Sequence, residues 1–133
     1  MPKPEQSRYM KSHEWAAVEA GVATVGVSDH AQHEITDVVF VDLPKVGRKV
    51  KQGEACCVVE SVKAAFDIYA PVSGEISAVN EALVKDPAAV NRSAHEDGWL
   101  FKVKVSDPKE LDGLMDYKHY QDFIKSPSAS GGH

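Results

Sequence analysis

Residues 58–76 read VVESVKAAFDIYAPVSGEI and continue an apolar run that begins at residue 55. An apolar run of strand length, ACCVV, occupies residues 55–59, and a second run with aromatic and β-branched side chains begins at residues 65–70. The five residues between the runs, 60–64, are too few for a helix and suit a tight reversal. The stretch therefore predicts a β-hairpin with Lys63 near its tip.

Lys63 is the candidate functional residue of this hairpin, because its side chain carries a nucleophilic amine. At a hairpin tip, a lysine extends a long, flexible amine into solvent while the flanking ladder holds its backbone, so a modifying enzyme can reach it. The alternative is that Lys63 only adds solubility, as most lysines on turns do. The hairpin alone leaves both interpretations open.

The sequence around Lys63 resembles a known family. Residues 60–76, ESVKAAFDIYAPVSGEI, resemble the lipoyl-lysine segment of glycine cleavage system H proteins, in which the lysine of ESVKA carries lipoic acid through an amide bond. The similarity covers residues 8–124. It is carried further by SHEW at residues 12–15, VGVSDHAQ at 25–32, VVFVDLP at 38–44 and GWLFKVK at 98–104.

The resemblance implies a fold and a cofactor. The fold would be mainly β: a barrel-sandwich hybrid of two antiparallel sheets, with the lipoyl lysine on a protruding hairpin, short helices and a C-terminal helical segment. The cofactor would be lipoate, attached covalently to Lys63 as N6-lipoyllysine. Residues expected to serve recognition by the attaching enzyme and turn geometry are Glu60, Ser61, Val62, Ala64 and Gly74.

Two carboxylates match family positions for contacts with the loaded arm. The resemblance places Glu14 and Asp67 beside a groove in which the arm rests. The aminomethyl group that the arm carries has an amine, expected to be cationic near neutral pH, and carboxylates would hold it by charge-assisted hydrogen bonds. The alternative for Glu14 is an ordinary exposed carboxylate.

The resemblance also implies partners and a role without catalysis of its own. A glycine decarboxylase (P protein) that uses pyridoxal phosphate would load the arm. A folate-dependent aminomethyltransferase (T protein) would unload it, and a dihydrolipoyl dehydrogenase (L protein) would reoxidise it. A lipoate ligase or a lipoyl/octanoyl transferase would attach the cofactor. The sequence carries no nucleophile with an evident base and no phosphate-binding glycine loop, so we expect a carrier and not an enzyme.

Other functions remain open at this point. Lipoyl domains of 2-oxoacid dehydrogenases usually read DKA at the tip and biotin carriers MKM, and residues 62–64, VKA, fit neither. An unmodified interaction module with the same fold, or a relay that passes lipoyl groups to other proteins, are the further alternatives. Modification of the lysine would distinguish a carrier from an unmodified interaction module. It would not distinguish a carrier from a relay, because both need the same lipoylated lysine.

Length and composition allow one domain. The chain has 133 residues, 43% of them hydrophobic, which suffices for one core and not for two. Its formal net charge of -5 argues against a nucleic-acid-binding surface, and its first residues contain no apolar run that would indicate a signal peptide or membrane span. We expect an N-terminal extension at residues 1–7, a lipoyl-carrier domain at 8–125 and a disordered tail at 126–133.

The same features predict a location. No targeting segment is recognisable, and the chain starts with Met1 at the length of a mature family member. We therefore expect the bacterial cytoplasm, or the mitochondrion if the source is eukaryotic.

Short strands separated by turn residues make up most of the remaining chain. Strands are predicted at residues 16–19, 22–27, 38–43, 75–80 and 99–105, and helices at 28–34, at 86–90 with an Asp86 cap, and from Asp107 onward. In the last strand, Trp99, Phe101, Val103 and Val105 are predicted to alternate with Leu100, Lys102 and Lys104. This order predicts an antiparallel sandwich or flattened barrel with terminal helices.

The chain's two cysteines are neighbours. Because successive side chains of a strand point to opposite faces, we expect one of Cys56 and Cys57 in the core and the other on the surface, with no disulfide between them. The absence of separated cysteine partners fits a reducing compartment.

His30, His33 and Glu34 invite a metal-site interpretation, which we reject. No third ligand follows at a diagnostic spacing, and the pattern H-x-x-H-E belongs to neither zincin class.

Four positions depart from the usual family pattern. Thr36 stands where glycine is common, so the turn there must tolerate a branched side chain. Phe66 replaces a small polar residue and is expected to put an aromatic ring close to the arm. Ala94 and His95 replace a frequent Pro-Tyr pair.

Overall fold

In the computed structural model, residues 4–125 are described, so the expected disorder of the tail at 126–133 lies outside the described residues. Nine strands run along this part of the chain: β1 Arg8–Tyr9, β2 Glu14–Glu19, β3 Val22–Val27, β4 Val38–Asp42, β5 Lys49–Val50, β6 Ala55–Ser61, β7 Ala65–Tyr69, β8 Gly74–Val79 and β9 Phe101–Val105. The helices are α1 Asp29–Ile35, α2 Ala82–Lys85, α3 Ala89–Arg92 and α4 Tyr117–Lys125, with 3-10 helices at Pro4–Gln6 and Pro108–Gly113.

The strands form two sheets, and every ladder is antiparallel. The larger sheet has six strands in the order β1-β2-β3-β9-β8-β5, and the smaller has three in the order β4-β6-β7. The prediction of a mainly β protein with two antiparallel sheets, short helices and a C-terminal helix is confirmed. The predicted hairpin is β6 and β7, which is two thirds of the smaller sheet.

One hydrophobic core fills the space between the sheets. Alternate residues along the strands point into it, as the period of two requires. Fully buried members from both sheets are Val25, Val59, Ile76, Phe101 and Val103. A second cluster, in which Tyr9, Trp15 and Tyr120 are buried, attaches α4 to the start of the larger sheet, and the Tyr9 and Tyr120 rings stack with centroids 4.2 Å apart.

Two helical segments begin at the capping residues that the sequence predicts, α1 after Ser28 and the C-terminal segment after Asp107. Ser28 accepts a hydrogen bond from the Ala31 amide at the start of α1. Asp107 accepts one from the Lys109 amide. The segment after Asp107 is a 3-10 helix, however, and a separate α-helix follows it at Tyr117.

The predicted helix with an Asp86 cap is wrong in its start. The helix α3 begins at Ala89, after Ala88, and Asp86 ends the preceding helix α2, which the sequence did not predict. The carboxylate of Asp86 pairs with the Arg92 guanidinium and leaves the helix amides uncapped.

The prediction that one of the two cysteines lies on the surface is also wrong, because both are buried as free thiols. Cys56 is 6% exposed and Cys57 is 3% exposed. The ladder between β6 and β7 shifts register between Ala55 and Cys57, and such a bulge breaks the alternation that would have turned one thiol outward.

Alternation fails at the start of the last strand as well. Phe101 and Val103 point inward as predicted, but Leu100, predicted to face outward, is fully buried, and Trp99 is partly exposed. Both residues precede β9, in a segment outside the strand where the Asn80 side-chain amide donates hydrogen bonds to the carbonyls of Asp97 and Trp99.

No helix among residues 4–125 is long and apolar enough to cross a membrane. The boundaries of the predicted domain remain a prediction, and the 3-10 helix Pro4–Gln6 precedes the expected start at residue 8.

Candidate functional site

The turn between β6 and β7 carries Lys63 and is held by the Ser61 side chain. The Ser61 hydroxyl oxygen accepts hydrogen bonds from the amides of Lys63 and Ala64, each 3.2 Å long. The Ser61 amide in turn donates to the Ala64 carbonyl at 2.8 Å. Ser61 is 9% exposed, whereas Lys63 is exposed. The backbone of the turn is therefore fixed, and the lysine side chain extends from it into solvent.

A neighbouring connection supports the same turn from outside the hairpin. The Val62 amide donates to the carbonyl of Asp37, in the link between α1 and β4, at 3.0 Å. Asn91 of α3 holds this link in place: its side-chain oxygen accepts from the Val38 amide at 2.9 Å, and its amide group donates to the Thr36 carbonyl at 2.7 Å. Sequence reasoning missed Asn91, because nothing near position 91 indicates which loop it will reach.

Thr36 shows how this link accommodates a branched residue. It ends α1 with φ at 68°, a conformation in which a β-branched residue is an outlier, and its amide donates to the Gln32 carbonyl at 3.0 Å. This backbone conformation costs about 1 to 3 kcal/mol when the residue is not glycine. Thr36 therefore adopts the backbone conformation that glycine would favour at this position.

Glu14 is buried at the junction of the two sheets. Only 1% exposed, it begins β2, and its carboxylate accepts hydrogen bonds from the Ser12 hydroxyl at 2.5 Å and from the Tyr69 amide at 2.7 Å. Burial disfavours the charged form and raises the pKa of Glu14 to about 7, although these two hydrogen bonds oppose the shift. The alternative of an ordinary exposed carboxylate is therefore wrong.

Asp67 lies on the same strand that Glu14 contacts, but its environment differs. Its side chain is exposed on β7, two residues before Tyr69 and opposite Val58 of β6. Among residues 4–125, no hydrogen bond joins the two carboxylates. The structure thus places both carboxylates at β7: Glu14 of β2 is buried against the Tyr69 amide, and Asp67 is exposed on β7 two residues earlier.

The remaining predicted residues separate into two locations. Glu60, Val62 and Ala64 lie at the tip, with Glu60 half-buried at the end of β6 and Val62 67% exposed. Gly74 lies in the other sheet, where it begins β8. A Cβ atom there would approach the Lys104 carbonyl oxygen to 2.0 Å, so the close packing of β8 on β9 requires glycine.

The residues 12–15, SHEW, make contacts that the sequence did not reveal. His13 Nδ1 lies 2.8 Å from the Tyr120 hydroxyl, and this hydroxyl lies 2.6 Å from that of Ser28, the cap of α1. The Trp15 indole donates to the Ala94 carbonyl at 3.1 Å. One short segment therefore joins the larger sheet, the edge of the smaller sheet, α1 and α4.

Two of the departures from the family pattern, His95 and Phe66, pack against other residues of the protein. His95 stacks on Trp15 with ring centroids 5.3 Å apart, and burial lowers the pKa of its imidazole. Phe66 lies on the inner side of β7 and packs against the main core, so it does not contribute an aromatic ring to the outer surface beside Lys63.

The histidines of α1 pair with separate carboxylates. His30 Nε2 lies 3.9 Å from a Glu34 oxygen, and His33 Nε2 lies 3.5 Å from an Asp29 oxygen. Within the described part of the chain, no three His, Cys, Asp or Glu side chains are grouped so that they could hold a metal ion.

Two antiparallel sheets that present one exposed lysine on a rigid turn are the architecture of a swinging-arm carrier domain. Comparison with known proteins gives the particular family. The sequence profile of the glycine cleavage H-protein family matches residues 7–127, and the chain belongs to this family.

Individual relatives agree over nearly the whole chain. It is similar to the glycine cleavage system H protein of Alcanivorax borkumensis, with 57% identity over 92% of this chain and 96% of the relative, and to that of Thermotoga maritima, with 51% identity over 90% and 96%. Its structure is similar to the crystal structure of a glycine cleavage system H protein from Mycobacterium marinum, with a TM-score of 0.82 and 34% identity over 93% of this chain and all of that one.

Proposed function

We propose that this chain is the lipoyl carrier of a glycine cleavage system and that Lys63 is its attachment point. The observation that carries the proposal is the turn itself: an exposed lysine in ESVKA, in a chain of this family, on a backbone fixed by Ser61 and by the Asp37 carbonyl. A carrier needs a rigid backbone for recognition and a mobile side chain for delivery, and this turn supplies both.

The attached group would be lipoate, joined to the Lys63 amine as an amide. When bound, lipoate supplies a disulfide that can be reduced and that carries a one-carbon unit between enzymes. Tethering to Lys63 raises the effective concentration of this group at each enzyme that docks on the protein. The protein's own part is to present and orient the arm, and it needs no catalytic residue for that.

The partners follow from this role. Glycine decarboxylase would transfer an aminomethyl group to the arm, aminomethyltransferase would remove its one-carbon unit, and dihydrolipoyl dehydrogenase would restore the disulfide. A lipoate ligase or a lipoyl/octanoyl transferase would load Lys63. Glu60, Val62 and Ala64 would contact this enzyme at the tip, with Ser61 fixing the turn. The proposed location is the bacterial cytoplasm.

Asp67 and Glu14 would act on the cationic end of the loaded arm in different ways. Asp67 is exposed and can form a direct charge-assisted hydrogen bond, worth about 1.5 to 3 kcal/mol when sheltered. Glu14 is buried behind β7 and bonded to the Tyr69 amide, so its charge would act through the strand and depend on pH near neutrality.

Intact mass spectrometry tests the attachment. The chain is expressed with and without lipoate alongside a lipoate ligase, and the Lys63→Arg variant serves as the matched control. A lipoyl-sized increment in the wild type that is absent in the variant is expected. A biotin-sized increment, or no increment under conditions that lipoylate a known H protein, would refute the proposal.

Replacing both Glu14 and Asp67 tests the arm contacts. If the charge on this strand shelters the loaded arm, the double alanine variant loses its aminomethyl group to water faster than the wild type. An unchanged lifetime would remove both residues from this role.

A further inference from the structure

The smaller sheet has an outer face whose residues on the two edge strands, β4 and β7, are exposed to solvent. Its inner face packs on the core, and alternation turns every second residue outward. The outer face, as defined here, consists of Phe40 and Asp42 on β4, Val58 and Glu60 on β6, and Ala65 and Asp67 on β7. The register aligns them in two rows, one from Phe40 to Ala65 near the tip and one from Asp42 to Asp67 behind it.

This face combines exposed apolar groups with acids. Phe40 is 49% exposed, and two further apolar side chains adjoin it, Val39 at 53% and Val62 at 67%. Large apolar groups so exposed are unusual when clustered, and they mark contact surfaces. The outer face also carries three carboxylates, those of Asp42, Glu60 and Asp67, so it combines apolar and negatively charged groups.

None of the six residues of the outer face is basic, and three are acidic. Lys45 and Arg48 line a cleft with Asp42 and Asp67 at the far end of the face, and Arg48 forms an ion pair with Glu54 at 2.8 Å. The outer face itself therefore complements a positively charged surface.

Geometry decides which partner must use this face. Enzymes that act on the loaded arm can reach its end from a distance. The enzyme that acylates Lys63 must instead bring its active site to the Nζ atom, within the length of a four-carbon stem from the turn. The outer face adjoins the turn directly, because its row from Phe40 through Glu60 to Ala65 ends two residues after Lys63. An enzyme that reaches the Nζ atom therefore lies next to this face.

We propose that the enzyme that attaches lipoate to Lys63 docks on this outer face through a basic surface with an apolar recess for Phe40. This inference rests on the proposed function and names a contact surface for it beyond the tip residues. In the ligase reaction, the neutral Nζ amine attacks the carboxyl carbon of lipoyl adenylate, an amide bond forms, AMP leaves, and the proton from nitrogen passes to water. The adenylate comes from lipoate and ATP with release of pyrophosphate.

The test is the kinetics of lipoylation with purified lipoate ligase, ATP and lipoate, followed by intact mass on the full chain. The test variant is Phe40→Ser with Asp42→Lys. The matched control is Val18→Ser with Glu19→Lys, which changes an apolar residue of similar exposure (42%) and an exposed acid on the larger sheet. Asp42→Lys alone is a second variant, at an exposed site where folding is not at risk. Thermal unfolding of each variant establishes that it folds.

If the ligase docks on this face, kcat/KM of the test variant should be at least about tenfold lower than that of the wild type, through a higher KM. The control variant should stay within about twofold of the wild type. In the wild type, kcat/KM should decrease as the salt concentration rises. In Asp42→Lys alone this decrease should be less steep, because the variant presents one negative charge fewer to the basic surface of the enzyme. Equal rates for test and control variants, or an effect confined to kcat, would overturn the docking surface. A wild-type chain that accepts no lipoyl group would instead refute the proposed function.

Discussion

The buried carboxylate of Glu14 accepts a 2.7 Å hydrogen bond from the amide of Tyr69, a residue 55 positions further along the chain. Tyr69 ends β7, the edge strand of the smaller sheet, and Glu14 begins β2 of the larger one. An edge amide that would otherwise be exposed is thus satisfied by a side chain of the opposite sheet. The bond joins the two sheets at the base of the hairpin that presents Lys63 at its turn.

The burial of Glu14 makes stability depend on pH. The pKa of Glu14 is raised from 4.5 to about 7, so the folded chain holds a proton that the unfolded chain releases between these values. The contribution of protonated Glu14 to the free energy of unfolding is fully present below pH 4.5. It is lost as the pH rises toward 7, by about 3 kcal/mol in total. Glu14→Gln removes the ionisation, so urea unfolding of wild type and variant across pH 4.5 to 7.5 should show the wild type losing that much relative to the variant.

Glu19→Gln is the control for this experiment, because Glu19 ends the same strand and is exposed. Its stability should follow the wild type at every pH. A Glu14→Gln variant that also runs parallel to the wild type would show that Glu14 titrates normally in the folded protein.

Ser61→Ala should loosen the turn and leave Lys63 itself unchanged. Two amides lose their acceptor, and the free energy of unfolding should decrease by about 1 to 3 kcal/mol. Lipoylation of Lys63 should slow as well, since the ligase would then have to order the turn. Ser77→Ala is the matched control, because Ser77 is exposed and makes only a 3.5 Å contact to the Lys102 carbonyl. Loss of lipoylation with unchanged stability would indicate direct recognition of the hydroxyl.

Gly74→Ala should be destabilising for a reason unrelated to ligase recognition. Its new methyl group would lie 2.0 Å from the Lys104 carbonyl oxygen, so β8 and β9 must separate, and we expect a loss of more than about 3 kcal/mol in chemical denaturation. Gly21→Ala provides the comparison: its φ is 80°, but nothing lies within 4 Å, so only about 1 to 2 kcal/mol of backbone strain is expected. Similar losses at both sites would contradict the packing argument.

What the sequence could predict is what short segments determine. The hairpin follows from two strand-forming runs and a short polar link, and α1 follows from the Ser28 cap. The burial of Glu14 could not be predicted, because it depends on an edge strand 55 residues away. Position 91 carries no local signal that Asn91 will support the link before β4.

The errors have a similar cause. Alternation predicts one buried thiol in β6, and a bulge seen only in the ladder with β7 buries both Cys56 and Cys57. A one-residue irregularity reverses the orientation of a side chain, and sequence patterns do not show where the partner strand will shift.

Both thiols should therefore be unreactive in the folded protein. Burial raises the pKa of Cys56 to about 11 and that of Cys57 further, so at pH 7.5 even the more exposed thiol has roughly 100-fold less thiolate than at its usual pKa of 9.0. Thiol exchange proceeds through the thiolate, so these side chains would not attack a lipoyl disulfide carried on Lys63. Ellman's reagent should label native protein at least about 100-fold more slowly than protein in urea, with Cys56→Ser and Cys57→Ser assigning each rate. Rapid labelling of either native thiol would show that the strand opens enough to expose it, and would predict mixed disulfides with the lipoylated protein.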